Sequence, residues 1–178
     1  MVRKFPMLVL GALLATGCGQ RPPAPPAPPP SAPPPASARA DAIRAATGGQ
    51  AAVEGRRDRA DGPATWRALF AGDAPALVEE SVAVPGGAPF VNRYYYEHGA
   101  LFYYAGEQAA ESGSGAAGPF ARVAVQAEFD GARVLRAVRL EHYGAVPLPP
   151  ALARAIAARG AELAAAARDE HSARKLAP

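Results

Sequence analysis

From residue 77 onward, apolar and polar positions alternate in short runs divided by turn residues. Leu77–Val84 reads as a strand closed by Pro85-Gly86-Gly87. "VNRYYYE" and "ALFYYAG" flank His98-Gly99, and "FARVAVQAEF" and "ARVLRAVRLEHY" flank Asp130-Gly131. A glycine-containing dipeptide between two such runs predicts a hairpin, so the strands predict an antiparallel sheet. Between the two hairpins, "GEQAAESGSGAAGP" (residues 106–119) reads as a long flexible linker. After Pro149-Pro150, Leu152, Ile156, Leu163 and Ala167 fall on one helical stripe, which predicts a helix over Ala151–Arg168 weakened at Gly160. Ahead of the strands, Ser37 is placed to cap a short helix over Ala38–Ala46, stopped by Gly48-Gly49. Residues 47–62 read as loop. Pro63, with Trp66, Leu69 and Phe70 spaced i, i+3, i+4, predicts a second short helix. The expected fold class is α+β: an antiparallel β-meander of about five strands, short helices before it, and a C-terminal amphipathic helix packed on one face.

The two hairpins present different faces. Pairing counted outward from Asp130-Gly131 puts Phe129, Ala127 and Val125 with Ala132, Val134 and Arg136 on a mostly apolar face, and leaves the other face polar. The same count around His98-Gly99 groups Tyr94, Tyr96, Leu101 and Tyr103 on one side, and Arg93, Tyr95, Phe102 and Tyr104 on the other. Both sides are aromatic. One joins the core; the other is either covered, by the Trp66 helix for instance, or exposed for recognition. Tyr94, Tyr95, Tyr96, Tyr103 and Tyr104 are therefore the candidate binding surface. The competing reading is ordinary strand packing, which suits tyrosine.

The N-terminus follows other rules. Val2-Arg3-Lys4 precedes an apolar run, "FPMLVLGALL", and the small residues Ala15, Thr16 and Gly17 follow it, the layout of a secretory signal. The run is about ten residues, half of what a spanning helix needs. Cys18 is the single cysteine, so no intramolecular disulfide forms. "Leu14-Ala15-Thr16-Gly17-Cys18" resembles the lipobox of bacterial lipoproteins, with Ala15 standing where leucine is usual. That resemblance implies that residues 1–17 are a removed signal peptide and that Cys18 is the lipid attachment site, acylated on sulfur with palmitate-type chains. One acyl chain holds a protein to a membrane only marginally, whereas two or more anchor it. Gly19 after the cysteine implies, by resemblance to enterobacterial lipoproteins, the periplasmic face of the outer membrane. Ten of the twenty prolines lie between Pro22 and Pro35. Residues 18–37 thus comprise the lipidated cysteine and a Pro-rich tether, reaching up to about 60 Å as polyproline II. Residues 38–178 remain for a single α+β periplasmic domain.

Charge and motifs exclude more than they assign. Of 19 basic side chains, Arg3 and Lys4 belong to the signal, leaving 17 against 16 acidic. No basic stripe extends beyond Arg56-Arg57-Asp58-Arg59, so no nucleic-acid partner is expected. His98, His142 and His171 show no metal-ligand spacing, and neither metal nor cofactor is expected beyond the lipid on Cys18. Ser112 and Ser114 lie in the linker and no G-x-S-x-G occurs. Glu79 and Glu80 are strand neighbours, so their carboxylates point to opposite faces. "GGQAAVEG" lacks the ending of a phosphate loop. The chain therefore reads as a membrane-anchored envelope lipoprotein with a non-catalytic binding domain, its partner an envelope protein or cell-wall polymer. The alternatives are an inhibitor of a wall-degrading enzyme, and an envelope hydrolase with His98 or His142 beside a carboxylate in a cleft.

Overall fold

The computed structural model describes residues 33–59, 62–108, 124–141 and 144–176. Among the described residues, eight strands follow one another in a single antiparallel sheet whose spatial order is the chain order. They are β1 (Val53–Arg59), β2 (Gly62–Ala71), β3 (Ala74–Val84), β4 (Gly87–Glu97), β5 (Ala100–Gln108), β6 (Ala124–Asp130), β7 (Arg133–Glu141) and β8 (Gly144–Pro147). Helix α1 (Ala36–Thr47) precedes the sheet and α2 (Pro150–Leu176) follows it. Among the described residues, no helix is long and apolar enough to cross a membrane.

The α+β meander with its C-terminal helix is present, but the expectation of five strands is three too few. Residues 63–71 form a strand rather than the expected Trp66 helix. Their true pattern is alternation, with Ala64, Trp66 and Ala68 buried and Thr65 and Arg67 exposed, disguised because two of the three inward residues are alanines. A register shift between Leu69 and Phe70 then sets two apolar residues in succession, which imitates helical spacing. The expected loop over 47–62 contains β1, an edge strand whose outward charges hide its period. Helix α1 starts at Ala36 behind Pro35, with no side-chain cap hydrogen bond from Ser37. Of the linker, residues 106–108 belong to β5 and the rest lies outside the described residues.

Two helices cover the two faces of the sheet. On one face, Val53, Ala68, Val78, Tyr94, Tyr104, Ala127 and Ala137 form a single row across seven strands. Helix α2 packs on this row with Ala153, Ile156, Gly160, Leu163, Ala164 and Ala167. The inward stripe is thus one residue off the expected one at its start: Ala153 is buried while Leu152 is 49% exposed. Gly160 marks the closest crossing, where a Cβ would meet Tyr94 and Leu101 side chains at 3.0 and 3.1 Å. A glycine that weakens an isolated helix here lets two elements touch. The Tyr96 hydroxyl donates to the Gly160 carbonyl at 2.7 Å and pins that crossing.

On the opposite face, Leu69, Leu77, Tyr95, Phe102 and Tyr103 carry α1 through Ala40, Ala36 and Ile43. Arg39 of α1 lies 4.4 Å above the Phe102 ring and pairs with Glu97 at 2.5 Å.

Both hairpins carry a register shift that simple counting misses. In β4–β5 it falls between Tyr95 and Tyr96, so Tyr94 pairs with Tyr104 and Tyr95 with Tyr103. Tyr103 and Tyr104 therefore exchange faces relative to the sequence count. In β6–β7 the turn closes with Asp130 opposite Arg133, and the shift next to Phe129 sets Glu128 opposite Arg136 and Val125 opposite Arg139. The expected Val125–Arg136 pairing is not formed, because one extra residue reverses the facing of everything beyond it.

Candidate functional site

All five candidate tyrosines lie inside the domain, none more than 5% exposed. Tyr94, Tyr96 and Tyr104 belong to the α2 core, Tyr95 and Tyr103 to the α1 core. Of the two readings of these tyrosines, their burial fits strand packing: they form two aromatic layers, each under its own helix.

A different site lies along the flank of α2. The row next to the apolar one reads Gly55, Trp66, Glu80, Asn92, Gly106, Val125 and Arg139 across the same seven strands. Its two glycines are occupied by neighbouring rings. A Cβ on Gly55 would stand 2.3 Å from the Trp66 ring. A Cβ on Gly106 would stand 2.2 Å from the Tyr104 hydroxyl and 2.8 Å from Phe90. Tyr104 thus lies down over Gly106, and its hydroxyl donates to Asn92 Oδ1 at 2.5 Å.

The centre of the row is Glu80, a carboxylate with no exposed surface. An isolated charge in that position would be expensive, and helix α2 supplies the counter-charge. Arg159 Nε donates to Glu80 Oε1 at 3.0 Å, and Nη2 donates to the same oxygen. The second carboxylate oxygen receives Asn92 Nδ2 at 3.4 Å and the Tyr94 hydroxyl at 3.5 Å. Arg159 also reaches Glu162 through Nη1 at 3.1 Å. Burial alone would lower the Arg159 pKa; the hydrogen bonds and charge of Glu80 outweigh it and leave the guanidinium more firmly protonated. Burial pushes the Tyr94 phenol far above its usual range, with Tyr104 and Glu80 adding to the effect. Tyr104 is raised in the same way, by burial and then by Glu80. Both hydroxyls therefore stay neutral donors.

This network floors a cleft of about 260 Å³ between α2 and strands β4–β6. Its walls are Phe90, Val125, Leu152, Ala155 and Ile156, and its polar edge is Asn92, Tyr104 and Arg159. Apolar walls with a few convergent polar groups are the usual make-up of a small-molecule site. The sequence did carry one signal for it: Glu80 occupies an inward position of a strand.

Of the other residues weighed for chemistry, the described ones do not line this cleft. His98 is exposed in the β4–β5 turn at φ 51°, which makes it a turn residue. His171 stacks on Phe70 with ring centroids 4.1 Å apart. Its Nε2 is 3.9 Å from Asp73 Oδ1, at the far end of α2 from the cleft mouth. Cys18, Ser112, Ser114 and His142 lie outside the described residues. Among the described residues, no three His, Cys, Asp or Glu side chains converge on one point. Glu79, one residue from Glu80, faces the other side and joins a charge row of Glu54, Arg67, Glu79 and Arg93. Compared with protein-family models, curated proteins and solved structures, the chain matches none.

Proposed function

We propose that this chain is a lipid-anchored envelope lipoprotein whose domain binds a small amphiphile in the cleft beside α2. The carrying observation is the cleft itself: apolar walls over a floor of neutral hydroxyls, an amide and Arg159, whose charge is met by Glu80 buried beneath it. Such a floor offers Asn92 and Tyr104 as hydrogen-bonding groups while adding almost no net charge. The ligand class is therefore an uncharged molecule with an apolar body and a hydroxyl, carbonyl or amide at one end. The volume is just under the roughly 300–1,000 Å³ of drug-sized sites, so the ligand is small or is one segment of something larger. Glu80 has no exposed surface, which makes it a structural carboxylate under this reading and the role a binding one. Lipidation at Cys18 would hold this cleft in the envelope at the end of the Pro-rich tether.

A fluorescent neutral probe, N-phenyl-1-naphthylamine, tests the cleft. Ala155→Trp fills it from the exposed side of α2, and probe affinity should fall at least tenfold with an unchanged melting temperature. Equal affinity in wild type and Ala155→Trp would remove the cleft as the site. Mass spectrometry of the mature N-terminus beside a Cys18→Ser control tests the anchor separately; a wild-type N-terminus without acyl mass would remove it.

A further inference from the structure

The end of β7 is not covered by its neighbour. Among the described residues, strand β8 pairs only with Val138–Glu141, and Arg133–Arg136 have no strand partner on that side. Helix α2 begins beside this free edge, with Leu148 N donating to the Ala137 carbonyl at 2.9 Å. Between them is a hollow of about 470 Å³ whose lining includes Arg133, Leu135, Arg136, Leu148, Pro150 and Arg154. Three of its lining residues are arginines, and Leu135, set outward by the register shift in β6–β7, is 54% exposed. The opposing charge is slight. Asp130 meets Arg133 at 3.0 Å with both side chains well exposed, an arrangement of small value. Glu128 sits opposite Arg136.

The position of this hollow says what it meets. In a meander, alternate turns lie at the same end of the sheet, so the β2–β3, β4–β5 and β6–β7 turns share one end. The first turn of α1 is fixed to that same end, because Arg39 pairs with Glu97, the last residue of β4. The chain from Cys18 therefore joins the domain at the end that carries Arg133, Leu135 and Arg136. The α2 cleft opens on the flank of α2 that faces the opposite end, near Phe90 and Asn92.

We infer that the hollow at the free edge of β7 docks on the phosphate-bearing headgroups of anionic phospholipid in the membrane that anchors the chain. The arginines take the phosphates and Leu135 enters the headgroup boundary. The inference rests on the lipid anchor proposed above. Docking there would hold the domain down on the bilayer with its cleft turned away from it, so that the tether sets reach and the arginines set orientation.

The lipidated chain allows a direct test. Once Cys18 is acylated its sulfur is blocked, so a cysteine placed at Leu135→Cys is the single free thiol. Val84→Cys, 38% exposed at the opposite end of the sheet, is the control. Each chain is labelled with an environment-sensitive fluorophore and reconstituted in phosphatidylcholine vesicles with or without phosphatidylglycerol. The probe at 135 should shift to the blue and be quenched by a bilayer-embedded quencher only with phosphatidylglycerol. Each of Arg133→Gln, Arg136→Gln and Arg154→Gln should lower the docked-to-free ratio about fivefold, from roughly 1 kcal/mol per surface arginine. Hydrogen exchange on the unlabelled chain gives a second reading, with residues 133–136 protected in the anionic vesicles alone. Equal quenching at 84 and 135, equal quenching in neutral vesicles, or docking that survives the triple arginine variant would overturn the inference. Binding of inorganic phosphate without bilayer quenching would assign the hollow to free phosphate and overturn it too. A second free thiol at Cys18 would instead count against the anchor, so the two failures are told apart.

Discussion

Glu79 and Glu80 are adjacent in β3 and live in different solvents. Glu79 faces the α1 side, where it accepts Arg67 Nε at 2.5 Å and Arg93 Nε at 2.9 Å, and Arg93 continues to Glu107 at 2.6 Å. Its side chain is 16% exposed and that of Arg67 is 56% exposed, so the ladder stays within reach of water. Glu80 faces the α2 side, has no exposed surface, and takes its charge partner from a helix 79 residues further along the chain. The alternation of one strand thus sorts two identical side chains into a solvated ladder and a buried network. In the first, each charge pair is an increment. In the second, the members stand or fall together.

The largest test of that contrast is Arg159→Ala. It takes the Arg159 counter-charge away from buried Glu80, and removal of one member of a buried pair costs about 3–5 kcal/mol. Urea denaturation should show a loss in that range. The double variant Glu80→Met/Arg159→Met removes both charges and should recover most of the stability, because apolar replacement of a whole buried pair is often neutral or better. A double variant as weak as the single would mean that the network does more than cancel its own burial.

Next in size is Gly106→Ala. The new methyl would occupy the place of the Tyr104 hydroxyl and press on Phe90. Tyr104 must leave Asn92, at an overpacking cost of about 1–3 kcal/mol. Because Tyr104 and Phe90 line the cleft, the same variant should weaken probe binding. Gly49→Ala, also at a glycine but with no atom within 4 Å of its Cβ, should leave the cleft unaffected. Its positive φ of 86° confines its cost to the local turn.

These positions also show what was legible in the sequence. Hairpins at His98-Gly99 and Asp130-Gly131 were, because turn chemistry is local. The C-terminal helix was, because its period is long and repeated. The opposed facing of Glu79 and Glu80 was, since it needs nothing but the strand. The network around Glu80 was not. It depends on register across β3, β4 and β5, on a shift between Tyr95 and Tyr96, and on where α2 crosses the sheet. Arg159 is one of several arginines on α2, and its own surroundings in the chain do not distinguish it from Arg154 or Arg168. The tyrosines stood out by composition, yet their burial is decided by two helices whose placement is non-local. Gly55, Gly106 and Gly160 have meaning only after the rings and helix that fill their missing side chains are in place.

The smallest effect belongs to Glu79, and pH gives it a distinct signature. Burial by itself would raise the Glu79 carboxyl, but the hydrogen bonds and charges of Arg67 and Arg93 outweigh it and hold the group below its usual 4.5. A carboxyl depressed in the folded state adds stability above its unfolded pKa and loses it as pH falls through the lower folded value. Glu79→Gln should therefore cost about 1 kcal/mol or less at pH 7, in keeping with partly exposed pairs. It should also flatten the acid limb of the stability curve below pH 4.5. Salt at 1 M should shrink the wild-type advantage, since the Debye length falls to about 3 Å. Denaturant midpoints measured from pH 3 to 7 for wild type and Glu79→Gln settle it. If the two curves stay parallel through the acid range, the ladder holds Glu79 no more tightly than water does, and the contrast with its neighbour is one of burial alone.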